Sequence, residues 1–266
     1  LVGAGRMPAD CYKQIVGGIN GAELVDITAD YVQLRFDKSD WERSQIRAAF
    51  GLADFAYDAM KAEIKPGASE IQVAAAGEFA VRSRGASGFG FSAIVGSGLR
   101  SNAVVPTASS KRLQDGELVM IGIAPKVSGY AGVVGDSIPV SGHYTERQRV
   151  CMRHLKEAFR LTRAQLQPGK VGKEIDAPAR AYFIKHDLSK YLVCPFAHTI
   201  GLHEAESPFF GPHSQDVLKP SMTVCIDVSF FGHPEFHGVR IETGYEITTN
   251  GPVPFSTKMD ALLCND

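Results

Sequence analysis

The chain has 266 residues, 44% of them hydrophobic, with 28 basic and 29 acidic side chains and a net charge of −1; this length forms a core without disulfide or metal staples, and without a Lys/Arg stripe it presents no nucleic-acid face. Cys11, Cys151, Cys194, Cys225 and Cys264 are an odd, scattered set with no CxxC pair, which excludes a disulfide framework and a zinc knuckle and points to the reducing cytoplasm. No apolar run approaches the roughly 20 residues of a membrane span and no signal-peptide order opens the chain; the first residue, Leu1 rather than Met, reads as the start of a piece of a longer product.

From Lys38 to Met60 the spacing predicts a helix. Ser39 followed by Glu42 is a capping-box pattern, and Ile46, Ala49, Phe50, Ala53 and Ala56 recur at helical intervals. The stretch IKPGASEIQVAAAGEFAVRSRG from Ile64 is then echoed by LQPGKVGKEIDAPARAYFIKHD from Leu166, each a Pro-Gly turn, a short cap and an amphipathic helix. LQDGELVMIGIA from Leu113 is likewise echoed by LKPSMTVCIDVS from Leu218, each a turn leading into a buried strand. The recurrence of several elements in one order predicts two similar half-domains about a pseudo-two-fold axis. Gly122 and Asp227 then occupy equivalent places on one strand, and Val133 and Glu242 on the next. One half offers carboxylates to a central site and the other offers none.

Several motifs occur in a telling order: the helix from Lys38, GELV at Gly116–Val119, Gly129-Tyr130, HTIG at His198–Gly201, LKPSM at Leu218–Met222 and GVRIE at Gly238–Glu242. In this order the chain resembles the pita-bread enzymes: creatinase, prolidase, aminopeptidase P and methionine aminopeptidase. The resemblance implies an α+β pita-bread fold over residues 38–266, with an internal pseudo-two-fold duplication and a curved, mostly antiparallel sheet backed by helices. Residues 1–37 resemble the tail of the N-terminal domain that creatinase and aminopeptidase P carry.

The metallopeptidases of that family hold two divalent ions with two Asp, one His and two Glu. By resemblance the two Asp fall on Gly122 and Val133, the His on His198 and the two Glu on Asp227 and Glu242. Two substrate-binding His fall on Val105 and Ala205, with His203 nearby. Two dications need bridging carboxylates to offset their repulsion, so a dinuclear centre is not expected and no cofactor is assigned. A single divalent ion on His198, Asp227 and Glu242 stays open, beside the reading that these three side chains only hydrogen-bond one another.

Creatinase hydrolyses a C–N bond without metal, through a His whose position here is Val105, so His198 or His203 would have to move the proton. Asp227 and Glu242 without a metal need a proton, Arg240 or a cationic ligand between them. The expected catalytic set is therefore His198, Asp227, Glu242 and His203, with Arg240, Tyr130, Arg100 and Asn102 as substrate contacts. Arg240 equally reads as a structural ion pair, Asp136 as a turn cap or a replacement carboxylate, and Glu204 and Glu206 as loop residues. The expected activity is hydrolysis of a small amide, amidine or peptide bond in a small molecule or short peptide, cationic in one reading, by a cytoplasmic homodimer that needs neither nucleic acid nor membrane. A non-catalytic binding module and a lyase reusing the same pocket remain the alternatives.

Overall fold

The computed structural model describes residues 7–19, 21 and 23–265 and divides the chain into two compact units, Leu1–Asp37 and Lys38–Asp266. The first unit contains helices α1 (Ala9–Gly18) and α2 (Thr28–Gln33).

In the second unit the chain runs α3 (Asp40–Glu63), α4 (Glu70–Arg82), β1 (Gly88–Phe89), β2 (Ile94–Ser97), β3 (Leu118–Ile123), β4 (Pro125–Val127), β5 (Tyr130–Ala131), β6 (Val134–Pro139), α5 (Glu146–Gln165), α6 (Gly172–Lys185), β7 (Ala197–Thr199), β8 (Glu206–Phe209), β9 (Thr223–His233), β10 (His237–Thr248), β11 (Gly251–Pro254) and α7 (Thr257–Cys264). Helix α3 begins where the sequence signal puts it. Ser39 accepts from the Glu42 backbone, Glu42 reaches back to the Ser39 N–H, and the five predicted apolar positions are all buried. Such a reciprocal cap satisfies two donors that the first helical turn leaves unpaired.

The large sheet has the order β2-β3-β6-β10-β9-β7-β8, with β11 added to β10, and every pairing is antiparallel. Its centre repeats about the β6–β10 boundary: β2-β3-β6 on one side matches β7-β9-β10 on the other. The Pro-Gly turns repeat in detail. Gly67 donates to Leu113 O at 3.0 Å and Leu113 to Ala68 O at 2.8 Å, while Gly169 donates to Leu218 O and Leu218 to Lys170 O, both at 2.8 Å. Gly67 and Gly169 have φ of 85° and 90°, a conformation that a side chain makes costly. The helix caps differ: Ser69 and Gln72 form a full capping box, whereas Val171 keeps only the reciprocal arm, its N–H donating to Glu174.

Candidate functional site

The two halves meet where Glu242 lies opposite Gly135. Across the sheet the register runs Ile94, Gly122, Gly135, Glu242, Asp227. Directly opposed residues of antiparallel strands share a face, so this row brings Asp227 and Glu242 together and continues into two glycines and an isoleucine. His198 joins from β7, which pairs with β9 through Cys225. Ser137 fastens the boundary: its hydroxyl donates to Arg240 O at 3.0 Å and accepts from the Arg240 N–H at 2.9 Å.

His198, Asp227 and Glu242 are buried, and one ligand atom from each lies within 4.8 Å of the others. The ring nitrogen Nδ1 of His198 is 3.0 Å from Thr199 O and donates to it, which turns Nε2 toward the carboxylates. Nε2 is 3.5 Å from Glu242 Oε1 and 3.7 Å from Glu204 Oε1. Arg240 Nε donates to Asp227 Oδ1 at 3.0 Å and its Nη1 to Val104 O at 3.0 Å. Glu242 Oε1 is shut off from water and has no hydrogen-bond partner; its distance from His198 suits an ion pair and is too long for a strong hydrogen bond.

Burial lowers the affinity of His198 for a proton, but Glu242, Glu204 and Asp227 outweigh it and push the imidazole up to about 10. Burial raises Glu204 well above the usual carboxylate range, helped by the neighbouring Glu242 charge. Asp227 is also raised, by burial first, against the opposing pull of Arg240. For Glu242 the contacts with His198 and Arg240 overcome burial and lower it.

His198, Asp227, Glu242 and Arg240 thus converge, and Arg240 has the Asp227 ion pair that one sequence reading gave it. The other expected residues have partners of their own. His203 is exposed, and its backbone is held on both sides: its N–H donates to Glu206 and its carbonyl accepts from the Gly201 N–H, each at 3.0 Å. Arg100 is held by Glu70 at 2.9 Å and by Thr107 O at 2.7 Å, because Glu70 is a fully buried carboxylate that also accepts from Ser97 and Ser109. The Asn102 side chain accepts from the Gly232 N–H at 2.8 Å, pinning the β9–β10 turn. The Tyr130 hydroxyl donates to Glu42 at 2.8 Å, and its ring packs edge-on against Trp41. Asp136 neither caps a turn nor joins the site: one step from Gly135 along β6, it faces the other way and accepts from Tyr57 at 2.9 Å.

Glu204 is the residue the sequence reading missed. The loop carrying it is pinned by Glu206, which pairs with Lys38 at 3.2 Å and accepts from the His203 N–H at 3.0 Å. This backbone course swings Glu204 inward, and no residue spacing announces it.

Val133 is fully buried in an apolar cluster with Ile46, Phe50, Ala124, Ile200 and Cys225, and Gly122 lies under the Ile94 side chain. Neither position carries a donor. The donors of His198, Asp227 and Glu242 suit one hard or borderline divalent ion: one imidazole with its tautomer fixed and two carboxylates.

A profile of metallopeptidase family M24 matches residues 44–249. The uncharacterized peptidase YqhT of Bacillus subtilis is 34% identical over 240 residues, covering 90% of this chain and 67% of that protein. The Xaa-Pro dipeptidase of Pyrococcus furiosus is 33% identical over 218 residues, covering 82% of this chain and 62% of the relative. Among solved structures, prolidase from Pyrococcus furiosus superposes with a TM-score of 0.89 at 29% identity, over 96% of this chain and 74% of that one. The Xaa-Pro dipeptidase from Bacillus anthracis gives 0.87 at 28% identity, over 96% and 71%. The chain therefore spans about two thirds of the length of the curated relatives it matches. With its curled antiparallel sheet, duplicated halves and this extent of likeness, the chain belongs to metallopeptidase family M24 and has the pita-bread fold.

Proposed function

We propose that this chain is a hydrolase of a small C–N bond, in a short peptide or an amidine, that works without a dinuclear metal centre. The observation that carries the reading is the one-sided row: Glu242 and Asp227 flank the central register, while Gly135, Gly122 and Ile94 continue it without a donor atom. The peptidase half of the proposal is supported by the relatives, two of which are Xaa-Pro dipeptidases.

His198 Nε2 is the group placed to deliver a proton to a departing nitrogen, since Nδ1 is committed to Thr199 O. Glu242 holds the imidazole in place, and Asp227 is held by Arg240, whose second arm fixes the backbone at Val104. If a divalent ion binds, His198, Asp227 and Glu242 would hold it, and it would supply Lewis-acid polarisation and a more acidic water. The positions expected to carry substrate-binding His are the exposed Val105 and Ala205, so substrate is held by other groups. A cytoplasmic homodimer belongs to the same proposal. Among the described residues no helix is long and apolar enough to cross a membrane.

The test is turnover of creatine, small guanidino acids and Xaa-Pro dipeptides with and without chelator. Chelator-insensitive hydrolysis of at least one is expected. Activity that vanishes with chelator and returns only with two divalent ions per chain overturns the proposal. Silence on every substrate together with tight capture of a protein partner would favour the binding module.

A further inference from the structure

The face of the sheet turned away from the central cluster carries a cavity of its own. Asp227 pairs with Glu242 on the inner face, so Phe230, three residues further along β9, points to the other side. There a cavity of about 300 Å³ opens between α5 and the β9–β10 turn. Arg147, Val150, Cys151 and His154 reach it from α5 at the spacing of a single helix face. Phe230, Cys151 and Leu188 are buried and form its floor. Arg147 and Glu235, with 78% and 35% of their side chains exposed, stand at its rim.

The walls are held in place and carry no charge. His233 Nδ1 accepts from the backbone N–H groups of Glu235 and Phe236 at 3.2 and 3.3 Å, and its ring stacks on Phe236 with centroids 4.9 Å apart. The turn is thereby wrapped around the imidazole. His154 Nδ1 lies 2.9 Å from the Tyr182 hydroxyl. Burial is the largest influence on both imidazoles and pushes them below their ordinary value, and it pushes the Cys151 thiol far up. All three are therefore neutral near pH 7. The full charges that line the cavity are the two at the rim, one of each sign. Among the described residues Arg147 gives Nη2 to Glu235 Oε2 at 2.5 Å, which leaves its other N–H groups and Glu235 Oε1 open. An ion pair this exposed holds its partners weakly, so a ligand bearing both charges can insert between them.

An uncharged, apolar interior below one cation and one anion is complementary to a zwitterion with an apolar tail. The volume lies at the small end of ligand pockets, which run from about 300 to 1,000 Å³. It suits a single amino acid better than a peptide. We propose that this cavity binds a free α-amino acid with a large apolar side chain, its carboxylate on Arg147, its ammonium on Glu235 and its side chain against Phe230 and Phe236. No residue of the central cluster lines the cavity, so the site is independent of the hydrolase reading.

The test is calorimetric titration of the full chain with leucine, phenylalanine, glycine, leucine amide and 4-methylpentanoate. Leucine amide lacks the carboxylate, 4-methylpentanoate lacks the ammonium and glycine lacks the tail. The wild type is expected to bind leucine or phenylalanine at least about tenfold more tightly than any of these three, since each lacks a charge-assisted hydrogen bond or a buried side chain. Arg147→Gln and Glu235→Gln should each lose about tenfold in that affinity and keep the melting temperature, and Arg147→Lys should recover part of the loss. Wild type that binds neither apolar amino acid overturns the proposal, as does affinity unmoved in both variants. Loss in only one of the two variants overturns the amino-acid assignment, because a zwitterion needs both partners. Binding that survives Arg147→Gln and disappears in Asp227→Asn would place the ligand in the central cluster and overturn the site itself.

Discussion

Glu242 and Gly135 face each other across the seam between the two halves, and a Cβ placed on Gly135 would lie 3.0 Å from Glu242 Cβ and 3.3 Å from Arg240 Cδ. The backbones approach so closely there that two functional side chains fill the room a neighbour would need. Gly135→Ala is therefore expected to push both aside and cost about 1–3 kcal/mol, the usual range for overpacking. Urea unfolding measures the loss, and an unchanged midpoint would show that the seam yields freely.

The imidazole of His198 gives a pH dependence with a definite sign. Its folded-state pKa, about 10, stands above the ordinary 6.5, so the stabilisation it contributes is fully present below about pH 6.5 and is lost as pH rises through about 10. His198→Gln lacks this contribution. The melting-temperature gap between wild type and His198→Gln should be widest near pH 6 and narrow toward pH 10.5. A gap that widens with pH contradicts the assignment.

Val133→Asp places a carboxylate in the apolar cluster around Phe50 and Cys225. An uncompensated buried charge costs about 3–5 kcal/mol, and chemical denaturation should show a loss of that order. A Cβ on Gly122 meets Ile94 only at 3.4 Å, ordinary contact, so Gly122→Asp combined with Val133→Asp should fold. The double variant is expected to regain stability on addition of Mn²⁺, which single-site Val133→Asp should do far less.

Lys38 and Glu206 form an ion pair with both side chains 3% exposed. Removing one partner of such a pair costs about 3 kcal/mol or more, so Lys38→Met should destabilise the protein and loosen the loop that aims Glu204. Hydrogen exchange at residues 203–206 should quicken while exchange in β9 and β10 stays slow. Uniform quickening would mean that the pair supports the whole domain instead.

The parts of this structure that were legible in the sequence are those set by local or repeated patterns. The capping box at Ser39 and Glu42 acts within one helical turn, and the two Pro-Gly turns carry their own geometry at Gly67 and Gly169. The meeting of His198, Asp227 and Glu242 followed from duplication and family order together. The partners of Arg100 and Asn102, Glu70 and the Gly232 N–H, are 30 and 130 residues away and reach them only through the fold, so no local pattern announces them. Glu204 was passed over for the same kind of reason. Its position depends on the course of a loop set by Lys38, Glu206 and Gly90, which no spacing encodes.

The most direct measurement is the number of divalent ions the chain holds, by elemental analysis of protein purified without added metal and then by titration with Mn²⁺. The account predicts no more than one ion per chain at saturation, because Gly122 and Val133 offer no oxygen to a second. Two ions per chain, bound stoichiometrically, would contradict it.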